Sequence, residues 1–223
     1  MKTKKTINRR AFFKTSALLG CMTLWPEAAL VAAADPAAEA PNIIGPRDGF
    51  SSQIGTLVSM LTWMRNVVVS EAQGLTSAQL DYLHDAKANT IGALLLHLAA
   101  TERLYQVHTF EGKKWGDFAE ETKKEWLVPM NLGEQARQTI KGKKLAYYLD
   151  ALKEVRGHTL AELRKRDDAW LMKVDTDWSW GPTNNYCKWF HVCEHESNHN
   201  GQIKWIKRRL PVAAGDDEDT SGS

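Results

Sequence analysis

One stretch, Trp189 to Arg209, constrains what this chain can fold into more than any other. It reads as a single long α-helix, ended by Pro211, whose ring cannot continue one. At about 100° per residue, His191, His195 and His199 fall on one stripe, each about a turn from the next. Val192, Ile203, Ile206 and Leu210 lie on the same side, with Tyr186, Ser197, Lys204 and Arg208 opposite. The imidazoles therefore point into a core, where they need partners. A divalent metal is the partner that best uses two histidines at i, i+4. His195-Glu196-x-x-His199 also spells the zinc-protease string HExxH.

A helix whose inner face carries three histidines has to be enclosed by other elements, and the chain supplies them. Phe50, Ile54, Leu57, Leu61, Met64 and Val68 recur at helical spacing up to about Gln73, and Gly74 stops that helix. Leu75 to Ala88 is a connection, with Thr76-x-x-Gln79 marking one capped turn. Asn89-Thr90 caps a second long helix to about Phe110, with His97 on the stripe of Leu94, Thr101, Leu104, Tyr105 and His108. Trp115 to Gly142 is polar and mixed, and reads as a crossover containing a short helix. Lys143 to Asp168 is a third long helix, and Asp175 to Asn185 an aromatic loop leading into the fourth. With no strand signal between them, four such helices predict an all-α, antiparallel four-helix bundle with a long crossover, over residues 49–211.

The ends read differently. Residues 1–34 have a basic start and then an apolar run, the pattern of an export signal. Asn8-Arg9-Arg10-Ala11-Phe12-Phe13-Lys14 resembles the twin-arginine consensus, which sends proteins out already folded. The expected location is periplasmic, after cleavage at Ala32-Ala33-Ala34. The alternative is a lipid anchor at Cys21, because Leu18-Leu19-Gly20-Cys21 approximates a lipobox. Residues 35–48, rich in Ala and Pro, read as a linker, and 212–223 as a disordered acidic tail. Removing residues 1–34 takes away six of the 29 basic side chains and one of the 27 acidic ones, leaving a formal net charge of about −3. That balance offers nucleic acid no basic stripe. Cys187 and Cys193, six residues apart on one helix, are about 9 Å apart along its axis and too distant for a disulfide.

Two blocks carry a resemblance. Asn89-Thr-Ile-Gly-Ala-Leu-Leu-Leu-His97-Leu-Ala-Ala-Thr-Glu102 matches a second-helix pattern of hydrophobics-His-x-x-x-x-Glu. His191-Val-Cys-Glu-His195-Glu-Ser-Asn-His199-Asn-Gly-Gln202-Ile matches a fourth-helix His-x-x-x-His-x-x-x-His-x-Gly-Gln. On these blocks the chain resembles the DinB-like family of four-helix-bundle metalloenzymes, from Phe50 to Pro211. The resemblance implies that His97, His195 and His199 hold one divalent metal, commonly nickel or zinc, with positions left for water or substrate. Relatives include thiol S-transferases and isomerases that use a small thiol. A fold alone does not decide among such reactions.

Other candidates follow from helical geometry. His191 lies a turn before His195 and is placed as a pocket or proton-carrying residue, and His108, about 16 Å from His97, cannot join the same centre. Glu196 is about 60° round the helix from His199 and is a candidate base, weighed against a salt bridge at the bundle edge. Glu102 reads as a buried structural carboxylate, Gln202 as a hydrogen-bonding partner of the site, and Trp178, Trp180 and Trp189 as pocket wall or core cover. The protease reading fails its extension: Gln202 and Trp205 stand where HExxHxxGxxH needs Gly and His, and the one downstream Glu is Glu218 in the tail. The expected function is an exported metal-dependent enzyme in which three neutral imidazoles activate a bound water for hydrolysis, with Glu196 or His191 carrying the proton. The alternatives are a metal- or ligand-binding bundle without turnover and, behind it, a thiol S-transferase or a protease. A small molecule is the expected partner, with a homodimer also open.

Overall fold

A computed structural model describes residues 42–211. The export signal, Cys21, residues 35–41 of the linker and the acidic tail lie outside the described residues. The elements are α1 Ser52–Ala72, α2 Ser77–Leu80, α3 Ile91–Thr109, α4 Glu120–Asn131, α5 Gly133–Thr139, α6 Leu145–Leu163, α7 Asp168–Met172, β1 Val174–Asp175, β2 Thr183–Asn184 and α8 Asn185–Lys207. The four long helices α1, α3, α6 and α8 form the expected bundle. Among the described residues no helix is long and apolar enough to cross a membrane.

Contacts fix the direction of each helix. Gly92 meets Tyr148 and Gln106 meets Val155, so α3 and α6 run parallel. Arg65 meets Glu196 and Glu71 meets Lys207, so α1 and α8 also run parallel. Tyr105 meets His191 while His97 meets His195, which makes α3 and α8 antiparallel. Leu61 with Arg156 and Arg65 with Leu152 make α1 and α6 antiparallel. Two helices consecutive in the bundle can run parallel only if a long connection returns the chain to its starting end. The segment from Phe110 to Lys144 is that connection. It holds two helices rather than the single short one expected, because Leu132 (φ 55°) and Gly133 (φ 74°) turn the chain between α4 and α5.

Capping explains one further departure. The third long helix stops at Leu163 instead of Asp168, because two successive aspartates cap other elements. Asp167 accepts the Trp170 N–H at the start of α7. Asp168 reaches 117 residues back to accept from the Ser51 hydroxyl, the Gln53 N–H at 3.0 Å and the Ile54 N–H at 3.2 Å, capping α1, whose own Ser51 side chain makes no cap bond. The aromatic loop closes as a small antiparallel ribbon, Val174 opposite Asn184 and Asp175 opposite Thr183. Thr76 and Gln79 form the reciprocal capping box their spacing predicts, and the Thr90 and Asn184 side chains cap α3 and α8.

The core has two main apolar clusters. One gathers Val68, Ala72, Ile91, Leu94, Leu95, Tyr148, Leu152, Ile203 and Ile206; the other Ile54, Leu57, Leu61, Tyr105, Leu163, Trp178, Trp189 and Val192. Gly92 is required where α3 and α6 touch: a Cβ there would lie 2.7 Å from the Tyr148 ring.

Candidate metal centre

α3 and α8 bring three imidazoles together. The ligand atoms of His97, His195 and His199 all lie within 4.8 Å of one another. His97 Nε2 is 2.8 Å from His195 Nε2, and His199 Nε2 is 3.1 Å from the same atom. His97 and His199 are buried and His195 half-buried.

The outer nitrogens decide which inner ones carry lone pairs. His97 Nδ1 faces the Pro129 carbonyl at 3.0 Å. A carbonyl only accepts, so Nδ1 holds the proton and Nε2 presents its lone pair. That carbonyl is free because α4 ends two residues later, at Asn131. His199 Nδ1 faces Gln202 Oε1 at 3.3 Å, and the Gln202 amide is oriented by its N–H donated to Asn198 Oδ1 at 3.2 Å. His199 therefore also turns an Nε2 lone pair inward. Burial, together with the charge of neighbouring His199, pushes His97 down to about 4. Burial and the surrounding histidines push His195 down to about 3, and burial lowers His199. At neutral pH the centre holds three uncharged imidazoles aimed at one point, the donor set a divalent ion requires. The residues fit the metal.

His191 stands beside the centre without joining it. Its ring centroid is 5.3 Å from that of His195, its Nδ1 is 2.9 Å from the Tyr105 hydroxyl, and Trp180 meets it edge-on at 4.9 Å. Tyr105 is a residue the sequence reading placed only in the core stripe. Trp178 packs on Tyr105 and His108 toward the same end, whereas Trp189 is fully buried core. His108 is tied elsewhere, to the buried Lys188 ammonium at 2.8 Å and the Lys113 carbonyl.

Glu196 corrects the sequence expectation of a base. Its carboxylate is buried, and Oε1 accepts from Arg65 Nε at 2.9 Å and Arg156 Nη2 at 2.8 Å. Held by two guanidiniums through Oε1, with Oε2 buried and without a hydrogen-bond partner among the described residues, it is not a bundle-edge pair but a carboxylate inside the bundle. Glu102 is the buried structural carboxylate expected, bound to the same two arginines. Arg65 and Arg156 were missed as site neighbours, though a charged residue on an apolar helical stripe is their signal in the sequence. Pro129 had no such signal. Burial and the nearby Glu196 push the Cys193 thiol up to about 11, away from the thiolate form.

The profile of the mycothiol S-transferase family matches residues 56–210. No curated protein matches the chain. The crystal structure of a conserved protein of locus from Enterococcus faecalis superposes with a TM-score of 0.53 at 13% identity, over 68% of this chain and 93% of that one. At that identity it speaks for the fold alone. The family match spans the bundle and all three converging histidines, and by it this chain belongs to the mycothiol S-transferase family of DinB-like helical proteins.

Proposed function

We propose that the protein is a metal-dependent S-transferase that joins a small thiol to an electrophile. The observation that carries this reading is the convergence of the Nε2 atoms of His97, His195 and His199, all uncharged at neutral pH. A divalent ion, zinc or nickel, held by these three neutral ligands would keep its full charge and would lower the pKa of a thiol brought to it. The Pro129 carbonyl and Gln202 keep the ligand nitrogens deprotonated and aimed. His191 takes the thiol proton on Nε2 in the tautomer whose Nδ1–H donates to the Tyr105 hydroxyl oxygen, 2.9 Å away. The sulfur then forms a carbon–sulfur bond to the electrophile, whose leaving group departs with the electron pair.

Family membership and the burial of Glu196 against two guanidiniums favour this reading over hydrolysis, which the sequence favoured. Export is part of the proposal, supported by Asn8–Lys14: a site built from two distant helices suits a route that carries folded protein. The test is a metal analysis of the purified mature chain, followed by mass-spectrometric assay with small thiols plus electrophiles and with esters and amides. Thioether formation that needs the metal and vanishes in His195→Ala supports the proposal. Ester or amide cleavage without thiol consumption would overturn it in favour of hydrolysis.

A further inference from the structure

Between the two apolar clusters, each of the four bundle helices contributes one charged side chain: Arg65 from α1, Glu102 from α3, Arg156 from α6 and Glu196 from α8. None is more than 7% exposed. Glu102 accepts from Arg65 Nη2 at 2.6 Å, Arg156 Nε at 2.7 Å and the Thr159 hydroxyl at 2.6 Å. Glu196 accepts from the same two arginines. Each guanidinium is completed by a backbone carbonyl of another helix, Arg65 by Leu152 and Arg156 by Leu61, both at 2.6 Å. Two positive and two negative groups cancel.

We propose that this layer is a register clamp for the metal centre. Arg65 and Arg156 tie a carboxylate of α3 and a carboxylate of α8 to one point, and so hold His97 level with His195 and His199. Glu196 directly follows His195. Glu102 lies five residues after His97, about 7.5 Å along the axis. Apolar packing of leucine, alanine and isoleucine tolerates small sliding of one helix on another. Buried charges do not, because a slip of one residue, about 1.5 Å, opens bonds of this length and strands a charge in the core. Three ligands must meet one ion at about 2.0–2.1 Å each, so the centre needs the positional precision that the layer supplies. Buried ion pairs add little net stability over a well-packed apolar layer, so specificity rather than strength accounts for this one. The Glu of the HExxH string thus acts as a positioning residue, through the placement of its helix and not on a bound water.

The inference rests on the metal reading, and the experiment separates the two. The apolar-layer variant Arg65→Met/Glu102→Leu/Arg156→Met/Glu196→Leu is compared with wild type for helical circular dichroism, cooperative unfolding, zinc affinity by chelator competition and the visible spectrum with cobalt(II). The clamp predicts a folded variant whose zinc affinity falls at least ten-fold and whose cobalt bands shift. Wild-type affinity and an unchanged cobalt spectrum in that variant overturn the clamp alone, whereas a wild-type chain that binds no metal overturns both readings. If the fourfold variant does not fold, Glu196→Gln, which keeps the shape and removes one charge, replaces it. Reduced zinc affinity in folded Glu196→Gln supports the clamp, and unchanged affinity overturns it.

Discussion

Two glutamates and two arginines share a space in which any one left alone is a liability. Truncating Glu196 to Ala leaves Arg65 and Arg156 facing each other with a single carboxylate between them. A loss of about 3–5 kcal/mol is expected, measured by urea unfolding of chelator-treated protein. His191 should behave in the opposite way. If the proposed S-transfer is the reaction, substituting it with Phe removes the proposed proton carrier and no ligand, so metal content should stay at the wild-type level while thiol turnover drops about 100-fold. His195 and His199 were legible in the sequence because helical periodicity put them on one stripe, and His97 was added by the family resemblance. The fate of Glu196 was not, since its neighbours Arg65 and Arg156 lie 131 and 40 residues away.

At the scale of elements, helix ends and close contacts depend on single residues far apart in the chain. Asp168→Ala removes the acceptor shared by Ser51, Gln53 and Ile54, and should cost about 1–2 kcal/mol in thermal or urea denaturation. Gly92→Ala forces a Cβ to 2.7 Å from Tyr148 and pushes α6 off α3. The expected loss is about 1–3 kcal/mol, and Tyr148→Leu in the same chain should return part of it. The four long helices were readable from apolar spacing and from the stops at Gly74 and Pro211. The break between α6 and α7 was not, because Asp167 and Asp168 lie beside each other in a polar run and only their targets, one in each of two helices, distinguish capping from continuation.

For the whole molecule, the metal-free centre makes stability depend on pH. His97 falls from an ordinary 6.5 to about 4 in the folded chain, and His195 to about 3. Above pH 6.5 the imidazoles are neutral in both states and the folded chain bears no penalty. As pH falls below 6.5 the unfolded chain takes up protons that the folded one refuses, so stability declines until the folded pKa is reached, by about 3 kcal/mol for His97 alone. Unfolding of chelator-treated protein between pH 7 and pH 4 should show that slope. Metal binds only the folded arrangement, so adding zinc at pH 7 should raise the midpoint with concentration, by about 2.7 kcal/mol at 100 times the dissociation constant.

By itself the sequence determined the four long helices, their inward faces, the pair His195 and His199 and the resemblance that added His97, because periodicity and local spacing are carried by neighbours in the chain. Only the tertiary structure decided that α3 and α6 run parallel around the crossover, that the Pro129 carbonyl sets the His97 tautomer, and that Glu196 belongs to a buried charge layer. Each of those depends on which atoms meet across tens of residues, where a few ångströms separate a base from one arm of an ion pair.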